Sequence, residues 1–241
     1  MIFFQLIIAF TLQWLFLPLA FSQSVEPQKT SEAYDPSLSM SLSGSYHRTS
    51  FEMKGDHLLP GPTQEGLYNG NPLTGTFDSK SAYSLRSAIH YFPFSPQAIA
   101  APLFSLNVGF ETYLAQLKNA NSATAEAHLW WIPFEAGFQK KFSDWVMGSI
   151  FVGYKYPVDG KMVYKYSART AGDYKEEVVL TDQLKSGYEI SFTEQLQLVT
   201  IESLSVGIGL ETYFGSLTFS GVGEPAHVSG MAGHFLFKFT L

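Results

Sequence analysis

The sequence contains no cysteine, so neither a disulfide framework nor a thiolate metal centre can be built from it. No metal or cofactor is expected. Charge is scarce as well: 15% of the 241 residues are Asp, Glu, Lys or Arg, where soluble domains carry roughly 25%. The formal net charge is −6, which leaves no basic surface to neutralise phosphates and excludes a nucleic-acid partner. Past residue 22 there is no long apolar run of the ~18 residues that a helical membrane span needs. What the chain does have is aromatic residues, 16% of the total and mostly Phe and Tyr, the side chains that gather where protein meets lipid and its headgroups.

The N-terminus reads as an address. Residues 1–22 carry no charge, contain the apolar run 6–19 and end in Ala20-Phe21-Ser22. Small residues at the first and third of those places fit a signal-peptidase site before Gln23. A signal peptide over residues 1–22 is therefore expected, although its n-region lacks Lys and Arg; the alternative is an uncleaved anchor helix. Residues 23–37, polar and interrupted by Pro27 and Pro36, form a flexible lead-in.

From residue 38 to 241 the recurring pattern is alternation. In 38–48, Leu38, Met40, Leu42, Gly44 and Tyr46 fall on one face and Ser39, Ser41, Ser43, Ser45 and His47 on the other, a two-sided strand. Comparable runs cover 81–91, 103–114, 128–140, 145–156, 184–196 and 204–214. The eighth is 233–241, with Phe235, Phe237, Phe239 and Leu241 opposite His234, Leu236, Lys238 and Thr240. In the fourth run Pro133 falls on the inner face, which demands a bulge or a missing ladder bond. Glu194, Gln195 and Gln197 leave the outward pattern of the sixth, as at the water-facing end of a strand.

Connections alternate long and short, which predicts an eight-stranded antiparallel up-and-down transmembrane β-barrel with short periplasmic turns, longer external loops and both termini in the periplasm. Residues 157–183 make the expected contact loop, within which 161–166 and 177–180 can extend strands five and six as a hairpin. Residues 50–77 form the other large loop. One segment repeats: Val108-Gly109-Phe110-Glu111-Thr112-Tyr113-Leu114 parallels Ile208-Gly209-Leu210-Glu211-Thr212-Tyr213-Phe214. A duplicated four-stranded unit is the simplest source.

With the apolar faces toward lipid, the lumen receives His47, Arg86, His90, Glu111, Glu135, Lys155, Glu189, Glu211, His234 and Lys238. An eight-stranded barrel has room inside only for side chains. A buried unpaired charge costs several kcal/mol, so these mixed signs are expected to pair and seal the barrel. Three other readings use the same residues: a narrow pore for small solutes, a lipid-modifying hydrolase, and a secreted lipocalin-like ligand-binding barrel with its aromatic face turned inward. For the hydrolase, His227-Val228-Ser229 is similar to the His-x-Ser of lipid A deacylases. No Asp or Glu follows Ser229 to complete it, and the register turns His227 and Ser229 outward. No catalytic residue is assigned. The lipocalin Gly-x-Trp start is missing, and too little charge is present for a soluble outer surface.

Over residues 38–241 the chain resembles the small bacterial outer-membrane β-barrel superfamily, the outer-membrane protein A, X and W type. Its most specific element is the alternation Phe235, Phe237, Phe239. The resemblance implies a partner in the barrel-assembly machinery, which would read Phe235, Phe237, Phe239 and Leu241, and outer-membrane lipids as surroundings; the ligand of the surface loops is left open. Leu241 stands where that family usually ends in Phe.

Overall fold

The computed structural model describes residues 37–53, 73, 75–93, 103–120, 122–143, 145–169, 175–201, 204–221 and 224–240. The expected signal peptide, nearly all of the lead-in, residues 54–72 of the first large loop, and Leu241 lie outside the described residues. Eight strands follow in chain order: β1 Ser37–Met53, β2 Gly75–Phe92, β3 Leu103–Asn119, β4 Thr124–Ser143, β5 Val146–Arg169, β6 Lys175–Ile201, β7 Leu204–Phe219 and β8 Ala226–Thr240. Each pairs antiparallel with its sequence neighbours, and β8 returns to β1, as in Met40 opposite Phe239, closing the barrel.

Alternation accounts for these strands, and burial gives each face its side. Leu42, Tyr83, Leu85, Phe134, Phe138, Val152, Ile208 and Phe235 are exposed on the outer wall, part of an apolar belt that all eight strands share. A soluble barrel would leave that belt in water at a cost of about 25 cal/mol per Å². In a bilayer it costs nothing, so this is a transmembrane β-barrel. Tyr46, Tyr83, Trp130, Tyr156 and Tyr188 edge the belt toward one end and Tyr91 and Trp145 toward the other, the positions of interfacial girdles.

Beyond Tyr46, Tyr83 and Trp130 the polarity inverts while the period of two continues. Outward positions become Glu52, Asp78, Lys118, Lys161, Glu177 and His227, all on the surface, whereas the inside becomes Phe51, Met53, Phe77, Leu117, Leu129, Met162, Tyr164 and Phe219, all buried. A membrane-spanning strand needs about 9–11 residues, yet β5 has 24 and β6 has 27. The surplus forms a sleeve outside the bilayer with an apolar core of its own. In it the Tyr164 hydroxyl donates to Met53 Sδ at 3.4 Å, and burial pushes its phenol above the ordinary range.

Several expectations change accordingly. The connections at 115–127 and 215–229 are largely strand: β3 runs to Asn119, β4 begins at Thr124, β7 runs to Phe219 and β8 begins at Ala226. By contrast, the hairpin expected within 157–183 is present, with Tyr164 opposite Leu180 and Tyr166 opposite Val178, and its pairing continues out to Arg169 opposite Lys175. Within β5, Pro157 lies at a bulge, where Trp130 opposes Asp159 but Trp131 opposes Pro157. Pro133 faces inward, and the β3–β4 pairing lapses between Val108–Phe134 and Glu111–Trp131, so its missing N–H falls in a gap of the ladder. Glu194 is not at a water-facing strand end. It projects from the outer wall opposite Ile150 and Leu210, with exposed Leu196 and Leu198 still nearer the turn.

Candidate functional site

The half of the lumen enclosed by the apolar belt is polar, and its centre is Lys155 of β5. Its ammonium reaches Glu189 Oε1 on neighbouring β6 at 2.9 Å, Glu211 Oε1 on β7 at 2.9 Å and Glu111 Oε2 on β3 at 3.1 Å. All four side chains are essentially inaccessible to solvent. Glu211 extends the knot through its other oxygen, 2.9 Å from His234 Nε2 on β8, and Ser45 of β1 meets His234 Nδ1 at 2.5 Å. A second pair, Arg86 of β2 with Glu135 of β4 at 2.6 Å, lies beside it, and Asn107 Nδ2 donates to the same Glu135 oxygen. Gly153 makes room for Glu135, because a Cβ there would meet Ser191 Oγ at 2.4 Å and Glu135 Cγ at 3.1 Å.

Four carboxylates thus face two fixed cations in a wall shielded by lipid. Desolvating such ions costs several kcal/mol each, which close pairing must offset. The arrangement does this by surrounding Lys155 with three of them and pairing the fourth, Glu135, with Arg86.

The repeated segment explains the geometry. β3 and β7 are four places apart in a ring of eight, hence on opposite walls. Glu111 and Glu211 approach Lys155 from either side, while two residues farther on Tyr113 and Tyr213 flank His47 with edge-on ring contacts, centroids 5.1 and 5.7 Å away. The Tyr113 hydroxyl donates to Thr49 Oγ1 at 2.9 Å, and Tyr213 also meets Thr49. His47 Nε2 is 2.8 Å from Ser84 Oγ. Tyr113, Tyr213 and Trp131 form the transition from ionic floor to apolar plug.

The ten side chains read as lumen-lining are all buried inside the barrel. Eight belong to this constellation: His47, Arg86, Glu111, Glu135, Lys155, Glu189, Glu211 and His234. His90 and Lys238 lie nearer the end where the described chain begins and finishes. His90 Nε2 is 2.7 Å from Ser41 Oγ, and Lys238 Nζ donates to Gln139 Oε1 at 2.9 Å. Sequence reasoning missed Thr49, Ser84, Tyr113, Tyr213 and Gln139 as partners, and missed the apolar plug. The inward phase of Tyr113 and Tyr213 was visible in the alternation; their hydrogen bonds cross between strands distant in sequence and were not.

His227 and Ser229 are on the outer wall of β8, on the opposite side of the sheet from every carboxylate of the lumen. Two small cavities lie inside the barrel, about 10 Å³ beside Tyr113 and Lys155 and about 20 Å³ beside Arg86 and Lys238. A concavity of about 640 Å³ opens instead on the outer wall among Ile89, Leu106, Val108, Phe134 and Val152, within the lipid-facing belt. Among the described residues no group of His, Asp and Glu is arranged to hold a metal.

No family model matches the sequence, and no curated protein matches it. Among solved structures, the chain is similar to Neisserial surface protein A, with a TM-score of 0.48 and 7% identity over 85% of this chain and 97% of that one. It is also similar to the outer-membrane protease OmpT of Escherichia coli, with a TM-score of 0.45 and 8% identity over 90% of this chain and 100% of that one. Ail, the attachment invasion locus protein of Yersinia pestis, gives a TM-score of 0.39 and 11% identity over 83% and 98%. At these identities no residue role transfers.

Proposed function

We propose that the protein is an integral outer-membrane barrel without catalytic or conducting activity, which anchors a rigid extramembrane sleeve as a contact surface. The observation that carries this reading is the filled interior. The Lys155 knot and the Arg86–Glu135 pair occupy the membrane level, and the plug of Phe51, Phe77, Met162 and Tyr164 occupies the sleeve above them. The two cavities beside these groups measure about 10 and 20 Å³, room for about one water each, and two barriers of different chemistry stand in series. A hydrolase needs a nucleophile beside a base and an orienting acid; His227 and Ser229 face away from the carboxylates of the lumen, and the acid that stands opposite His227 on the outer wall is Glu52 of β1.

In the proposed orientation the start of β1, the end of β8 and the ends of β4 and β6 face the periplasm, and the sleeve, with the extended β5 and β6, faces outward. Phe235, Phe237 and Phe239 on the last strand suit recognition by the barrel-assembly machinery. The test is electrical: reconstituted into a planar bilayer, the protein should give no conductance above background, and reproducible large steps would overturn the sealed reading.

A further inference from the structure

Among the described residues, one buried lysine of the lumen meets no carboxylate. Lys155 has three and Arg86 has Glu135, but Lys238, only 5% exposed, meets none among the described residues. Its ammonium donates to the neutral Oε1 of Gln139 and stands 4.7 Å from the centre of the Phe92 ring. A cation–π contact is weak beside the cost of burying an ammonium.

The surroundings hold further polar atoms without a protein partner. Gln139 Nε2 and Thr193 Oγ1 are buried and unbonded. His90, Thr193 and Lys238 share the 20 Å³ cavity with Arg86 and Gln197. Glu135 also lines it, but its charge is matched by Arg86 at 2.6 Å, so the wall keeps the surplus positive charge of Lys238. We propose that this end of the lumen binds one small monovalent inorganic anion, of halide size, against Lys238 Nζ. The hydroxyl of Thr193, which lines the same cavity, supplies a neutral donor beside it. The cavity is of the order of a single water, which excludes phosphate and carboxylate-bearing solutes.

The experiment uses the full barrel in detergent with gluconate as the starting anion. Thermal unfolding is followed while sodium bromide replaces sodium gluconate at constant ionic strength, and bromide-soaked crystals are examined by anomalous scattering. The midpoint should rise saturably with bromide and an anomalous peak should stand at Lys238 Nζ; both should be lost in Lys238→Met. Lys238→Gln makes the same test if the Met variant does not fold. A wild-type midpoint indifferent to bromide, or an equal response in the folded variants, overturns the site. A crystal peak without a saturable shift in solution means binding at crystal concentration only, and overturns it too.

Discussion

Lys155 illustrates how strongly one side chain can organise a barrel interior. Removing a partner from a buried ionic group typically costs about 3–5 kcal/mol, because the remaining charges stay buried and unanswered. Lys155→Met would leave Glu111, Glu189 and Glu211 facing one another in a space shielded by lipid. The expected outcome is a loss of about 3–5 kcal/mol, read from urea unfolding in detergent micelles. Adding Glu211→Gln to Lys155→Met should recover part of it, since one of the repelling charges is gone. Equal stability of wild type and Lys155→Met would show that the knot is energetically idle. Glu194 is the opposite case, a carboxylate on the lipid-facing wall between Phe192 and Leu196, whose Oε1 has no protein partner. Nothing in the barrel explains its presence there.

Among the elements, the β5–β6 hairpin departs furthest from a minimal membrane barrel. β6 pairs with β5 from Lys175 onward, but pairs with β7 only from Leu184, opposite Phe219. Next to that junction, Ser220 N donates to Gln183 O at 2.8 Å and Gln183 N donates to Ser220 Oγ at 3.0 Å. Among the described residues, 175–181 therefore form an edge with Val179 exposed upon it. Such edges leave alternate backbone groups to water. Hydrogen exchange over 175–181 should show protection only at the amides directed toward β5, with the alternate amides exchanging at least tenfold faster. Uniform protection would mean that something else pairs with that edge.

For the whole molecule, one closed sheet passes through two solvents, and the inversion of its faces marks the boundary. Below Tyr46 and Trp130 the outside is apolar and the inside ionic; above them the outside is polar and the inside apolar. At the level of the membrane the sheet is closed and has no edge from which to unravel, so unboiled protein in detergent should migrate differently from boiled protein on a gel. Identical mobility would count against the barrel. The strand number, the faces of Phe235 and Lys238, and the interior placement of Glu111 and Glu211 were all legible from residue order, because a period of two assigns each side chain to a wall without reference to any other strand. The sleeve was less legible. At 115–127 the same period continues with the opposite polarity, so a search for apolar-outward alternation ends too early. Glu194 was misread for a related reason: position along a strand gives depth only once the neighbouring strands set the register. Which charges meet could not be read locally at all. Lys155 joins β3, β6 and β7, and Arg86 reaches past β3 to β4, because barrel closure brings opposite walls within side-chain reach whatever their separation in the chain.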